Sequence, residues 1–400
     1  MKRKITILTI AFLSSVLMCA NAFAAATGRC GDSIKWTLDD SGNLTLSGSG
    51  EMRDNGFGYN NLTFRYYGTK TVTIGDGITS IGKYAFEGCT GMTKLTLPNS
   101  LERIGESAFW GCSGLTELTL PSSVWDILDY AFYGCSGLTE LTLPNSLKSI
   151  GKYAFSGCSG LTELTLPNSV TSIGDYVLKG CNGLTELTLP NSITSIGWYA
   201  FQGCSGLTEL TLPNSITSIG NSAFEGCTGM TKLTLPNSLV SIGSGAFQGC
   251  SGLTELTLPN SITSIGVGVF QGCSGMTELT LPNSVTRIGE SAFSGCSGLT
   301  ELTLPSSVTR IGNSAFEGCS GLTELTLPNS VTSIGGYAFA YCSGLSKITS
   351  LAEIPPVCGY GVFDGVNKTN CELIVPKGSV AAYKQAYGWN GFSNIRGFSE

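Results

Sequence analysis

The side chains in this 400-residue chain that offer chemistry are few in kind and strictly spaced. The chain has 16 cysteines and no histidine. It therefore lacks the usual general base, the commonest metal ligand and the ordinary partner of a serine or cysteine nucleophile. That argues against hydrolase triads and most zinc sites, and leaves carboxylate-pair or lysine chemistry open. Twelve cysteines form one series, from Cys89 and Cys112 onward to Cys342, each 23 residues after the last. Export would permit disulfides. In-register stacking, however, sets equivalent residues about 4.8 Å apart, beyond the roughly 3.5–4.5 Å between the Cβ atoms of a bridge. The expectation is a reduced ladder of small hydrophobes. No Cys-x-x-Cys pair supplies zinc geometry. Cys358 and Cys371 lie outside the series and are candidates to bridge each other, whereas Cys30 has no evident mate.

A second series is acidic. Glu117, Glu140, Glu163, Glu186 and Glu209 run unbroken at the same spacing, then Lys232, then Glu255 to Glu324. On adjacent strands these carboxylates form a stripe that either attracts a basic partner and weakly holds calcium, or is a solvated face. No other cofactor is expected. A third series is aromatic. Tyr130, Tyr153, Tyr176 and Tyr199 share one position in four consecutive units, with Trp110, Trp125, Tyr133 and Trp198 near them. Serine or glycine takes that position in later units, from Ser222 to Ser314. The aromatics are either an exposed patch suited to protein or sugar contacts, or rings lying flat over neighbouring coils.

The elements that carry these series are repeats of one 23-residue phrase, such as LTELTLPNSITSIGWYAFQGCSG at residues 184–206. Such a period means stacked coils and not separate globular domains. In Leu115-Thr116-Glu117-Leu118-Thr119-Leu120 the leucines are expected to turn inward and Thr116, Glu117 and Thr119 outward. Pro121 ends the strand because it has no N–H for the ladder. Gly105 and Gly114 are expected where the coil needs backbone angles that other residues resist. Ile104 and Phe109 belong to apolar columns that recur in every unit, with Leu178 in place of one phenylalanine.

Residues 1–24 read as a signal peptide, with Lys2-Arg3-Lys4 before an apolar run too short to span a bilayer. Residues 25–70 read as an N-terminal β cap containing a hairpin. The repeat array covers residues 71–348 in about twelve units, and residues 349–400 form an irregular C-terminal cap with a last strand over Cys371–Pro376 and a short helix over Ser379–Tyr387. The net charge of −6 and the lack of a basic block disfavour nucleic acid and anionic membranes. No segment of the mature chain is expected to cross a membrane.

The phrase Ile104-Gly105-x-x-Ala108-Phe109-x-Gly111-Cys112, joined to Leu115-x-x-Leu118-x-Leu120-Pro121, resembles the BspA-like leucine-rich repeats of bacterial surface proteins. The resemblance covers roughly residues 71–344, with Leu128, Trp125-Asp126 and Val177-Leu178 as local departures. It implies a right-handed solenoid of short parallel strands, a secreted or cell-surface location, no catalytic residues, and adhesion to host matrix proteins or other cells. The functional expectation is an exported, monomeric, non-enzymatic binding protein for a protein or glycan. The alternative is a surface spacer or assembly scaffold with no ligand of its own.

Overall fold

The computed structural model describes residues 26–54, 64 and 68–398, so the expected signal peptide lies outside the described residues. The chain divides into two units, Met1–Leu161 and Thr162–Glu400. Each is a parallel-strand β-solenoid of 23-residue coils.

One coil of the second unit shows how the phrase folds. Glu301–Thr303 is a strand with Leu302 buried between exposed Glu301 and Thr303. The chain turns at Pro305, and the Ser307 hydroxyl donates to the Val285 carbonyl of the preceding coil at 2.6 Å. A second short strand, Arg310–Ile311, joins another parallel ladder. The following turn makes a third hydrogen-bonded edge: Ser314, Phe316 and Gly318 donate backbone N–H groups to Gly336, Ala338 and Ala340 of the next coil, each at 2.8 Å. Backbone polar groups on three sides are thus paired between coils, which allows a chain with little regular strand to bury its interior.

That interior is layered by column. Phe109 stacks on Phe86 and Phe132 with centroids 5.1 Å apart and planes within 8°. In the second unit the same ladder runs from Phe201 to Phe363, and Trp389 closes it at 5.1 Å. At that separation the parallel rings are offset, the arrangement their quadrupoles favour. Leu115, Leu118 and Leu120 all point inward as expected.

The glycines divide differently from the expectation. Gly105 and Gly114 have no positive φ. A Cβ on Gly105 would sit 2.5 Å from the Ile81 carbonyl oxygen, and one on Gly114 2.4 Å from that of Thr90. They are small because the preceding coil's backbone passes directly beneath them. The left-handed angle belongs to Gly111, at φ 70, and to the tyrosine position itself: Tyr130 at 58, Ser222 at 51, Gly245 at 62.

Coils are also grouped in twos on the glutamate face. In the second unit Glu163–Thr165 pairs with Glu186–Thr188, Glu209–Thr211 with Lys232–Thr234, and Glu255–Thr257 with Glu278–Thr280, each as a separate two-stranded sheet. The side-chain oxygens of Asp175 and Asn221 accept the N–H groups of Trp198 and Ser244, joining the first two of these pairs on another edge. Asp129 does the same for Lys152 in the first unit, where Glu117–Thr119 pairs with Glu140–Thr142. On this face these coils are therefore joined in twos, whereas Glu301–Thr303 begins a continuous ladder of five strands.

At the N-terminal end Lys35–Leu38 and Asn43–Ser47 form an antiparallel hairpin with Trp36 opposite Leu46. Asn43–Ser47 then pairs in parallel with Thr71–Ile74, so the hairpin continues directly into the solenoid ladder. At the other end Lys347–Ser350, Glu372–Pro376 and Asn394–Phe398 extend the ladder in order. A one-turn 3-10 segment at Lys377–Ser379 leads into the helix Val380–Gln385, which seats Tyr383 in the core.

Candidate functional site

The cysteine column is structural. All twelve of its members are buried thiols. Thiols of the column donate to carbonyls of the coil before: Cys112 to Phe86 at 3.2 Å, Cys204 to Leu178 at 3.3 Å and Cys296 to Phe270 at 3.3 Å. Burial pushes Cys135, Cys227 and Cys273 up to about 12, the hydrogen bond to the neighbouring coil opposing it only weakly. Such thiols are poor nucleophiles and poor metal ligands at neutral pH. Cys358 and Cys371 are separate free thiols, so no bridge joins them.

The glutamates are exposed and in register. Glu117 stands opposite Glu140 in the first unit, and Glu163 opposite Glu186 in the second. Glu209 faces Lys232 across its pair, and Glu324 is held by Lys347 at 3.1 Å. Each like-charged exposed pair costs about 1 kcal/mol or less. Among the described residues no group of three acidic or cysteine side chains is arranged to hold a metal ion.

The aromatic residues fall into separate groups. In the first unit Trp110, Tyr130, Tyr133 and Tyr153 form one cluster. Tyr130 lies flat on Tyr153 at 4.7 Å and 6°, and Trp110 sits 5.4 Å from Tyr130 and 4.6 Å from Tyr133. Its three tyrosines are half-buried, while Trp110 is 38% exposed. Trp125 instead covers the Arg103 guanidinium at 5.8 Å, and Arg103 pairs with the buried Asp126 at 3.3 Å. In the second unit Tyr176 and Tyr199 stack at 4.9 Å and 9°, with the Lys179 ammonium over Tyr176 at 5.6 Å. Trp198 is the most exposed tryptophan of the set, at 55%.

Reading the aromatic column only from 130 to 199 misses its ends. Tyr84 and Tyr337 occupy the same position with the same left-handed backbone. Tyr337 meets Tyr360 edge-on at 5.5 Å, and Tyr341 and Tyr360 are 58% and 68% exposed. Following the position through every unit would have found them.

Comparison with known proteins fits this geometry. The family model described as the BspA type leucine rich repeat region matches residues 59–185, 171–296 and 263–371. The chain belongs to the BspA-type leucine-rich repeat family. Its BspA-type coils are similar to those of a leucine-rich repeat protein from Bacteroides ovatus. That protein is 28% identical with a TM-score of 0.65, over 80% of this chain and 93% of the other. A leucine-rich repeat protein from Eubacterium ventriosum is 27% identical with a TM-score of 0.56, over 86% of this chain and 95% of its own. No functionally curated protein matches. Among the described residues no helix is long and apolar enough to cross a membrane.

Proposed function

We propose that this BspA-type chain is an exported, non-enzymatic binding protein that holds a protein or glycan of a host or microbial surface. The cluster of Trp110, Tyr130, Tyr133 and Tyr153 carries the reading. The tyrosine position has the same left-handed backbone in coils that fill it with Ser222, Gly245, Ser291 or Ser314. The fold is therefore content without an aromatic ring there, and a stacked aromatic surface is an addition that the scaffold does not require. Half-exposed tyrosine and tryptophan are the side chains that dominate recognition surfaces. The basic and then apolar start of the chain supports export.

The test is to pass the chain over immobilised matrix proteins, mucins and glycans, with and without calcium, and to compare it with Tyr130→Ser/Tyr153→Ser. Those serines occur naturally at this position, so the variant should melt within a few degrees of the parent. Saturable binding that weakens about tenfold or more in the variant is the expected result, two hot-spot rings accounting for at least 1.4 kcal/mol. Binding that persists unchanged removes the cluster from the site. The uniform Glu and Thr columns favour a second reading, a surface spacer, and silence across the whole array from folded protein would establish that one.

A further inference from the structure

The position just before the column isoleucine is serine in most coils, but it is arginine at 103, 287 and 310. These arginines are treated differently. Arg103 is neutralised by Asp126, its direct partner on the next strand, and covered by Trp125. Arg287 and Arg310 are direct partners of each other on adjacent parallel strands. Both are exposed, and neither guanidinium forms an ion pair or hydrogen bond among the described residues. Two like charges set opposite each other one strand spacing apart work against folding, and serine would avoid that cost.

The pair lies in a shallow groove of about 590 Å³ in the second unit. Ser264 and Ser333 line its ends, and Asn313 and Glu290 stand on its wall. The Asn313 side-chain oxygen Oδ1 accepts the Gly336 N–H, which leaves its side-chain N–H groups for the groove. Tyr360, largely exposed, follows directly on the groove residue Gly359.

We propose that Arg287 and Arg310 form an anion clamp for a carboxylate or sulfate group carried on a sugar chain. Two guanidinium groups one strand apart bracket one such group with charge-assisted hydrogen bonds, which monodentate lysines would not do as well. The serine hydroxyls and the Asn313 amide suit sugar hydroxyls, and a shallow open groove suits a chain that lies along the surface. The clamp shares no residue with the Trp110–Tyr153 cluster and stands whether or not that cluster binds anything.

The decisive experiment is calorimetric titration of the full chain with four probes. They are a galacturonate oligosaccharide, a sulfated dextran oligosaccharide, neutral dextran and poly-glutamate. Either acidic sugar should bind, neutral dextran should not, and poly-glutamate should bind at least tenfold more weakly. Arg287→Ser and Arg310→Ser, each restoring the residue of neighbouring coils, should each weaken acidic-sugar binding about tenfold, the scale of one hydrogen bond to a charged group. Arg103→Ser, which removes a neutralised arginine, should leave binding unchanged. Equal loss with Arg103→Ser would show a diffuse charge effect and overturn the clamp. Tighter binding of poly-glutamate would replace the sugar with an acidic peptide, and binding of no anion would end the proposal.

Discussion

Single residues in this fold are chosen by what the neighbouring coil leaves room for, and two predictions follow from that. The first concerns glycine. Gly111 sits at φ 70 with open space around a would-be Cβ, so Gly111→Ala should cost only the left-handed penalty, about 1–2 kcal/mol. Gly105 has ordinary angles, yet its Cβ would strike a backbone oxygen at 2.5 Å. Gly105→Ala must push two coils apart, and should cost about 3 kcal/mol or more, as overpacking does. Equal losses in chemical denaturation would refute the assignment. The second concerns the thiols. A cysteine's folded pKa of about 12 against an unfolded value near 9 means that between those values the folded state keeps protons the unfolded state has lost. Stability from these groups is complete below about pH 9 and falls steadily as pH rises toward 12. Alkaline unfolding should begin in that window, and replacing Cys135, Cys227 and Cys273 by alanine should flatten the pH dependence while lowering stability at neutral pH. Native thiols should also resist alkylation at pH 8.5, where such a group carries roughly a thousandfold less thiolate than a free cysteine. The columns were legible in the sequence because a 23-residue spacing forces Ile104, Phe109 and Cys112 onto inner surfaces. The glycine roles were not, since close approach and left-handed backbone both select the same residue.

At the level of the element, the C-terminal cap is anchored by two buried aromatic side chains of its last segments, Tyr383 and Trp389. Tyr383 is fully buried, and its hydroxyl lies 2.7 Å from the Ser350 hydroxyl and 2.9 Å from the Ala352 carbonyl. Tyr383→Phe keeps the ring and leaves Ser350 and Ala352 buried without that partner, which should cost about 1–3 kcal/mol. Trp389 ends the phenylalanine ladder and donates its indole N–H to Pro356 at 3.0 Å. Because each coil rests chiefly on its neighbours, amide exchange should quicken first in Glu372–Pro376 and Asn394–Phe398 and last in coils nearer the middle of that unit. Uniform quickening along the unit would contradict the local accounting. The strand Glu372–Pro376 and the short helix were readable from Leu373-Ile374-Val375-Pro376 and the residues after Ser379, but that strand is not the last, since Asn394–Phe398 pairs beyond it. The clustering of the aromatics was only half readable. The spacing put Tyr130 and Tyr153 in one column but left open whether the rings were exposed or lay flat, and Trp125 turned to Arg103 because Asp126 holds that guanidinium beside it, a pairing across coils that spacing alone does not show. Arg287 and Arg310 went unread because a column mostly filled with serine draws no attention.

For the molecule as a whole, the question is whether the single coil is the unit of stability. A strictly one-dimensional array would lose stability in proportion to the coils removed. The two-coil grouping predicts otherwise. Glu209–Thr211 and Lys232–Thr234 pair only with each other on their face, and Asn221 locks the same two coils together through Ser244. Deleting residues 209–254 removes one complete pair and joins intact pairs. Deleting residues 209–231 removes half as much chain but strands the coil that begins at Lys232. The shorter deletion should therefore melt at or below the temperature of the longer one. The residues that join these pairs, Asp129, Asp175 and Asn221, stand two places after the column isoleucine. Their carboxylate and amide oxygens are committed to the next coil's backbone, so these positions serve as joinery between coils. A melting order set only by the number of coils removed would show that these bonds do not set the unit of stability.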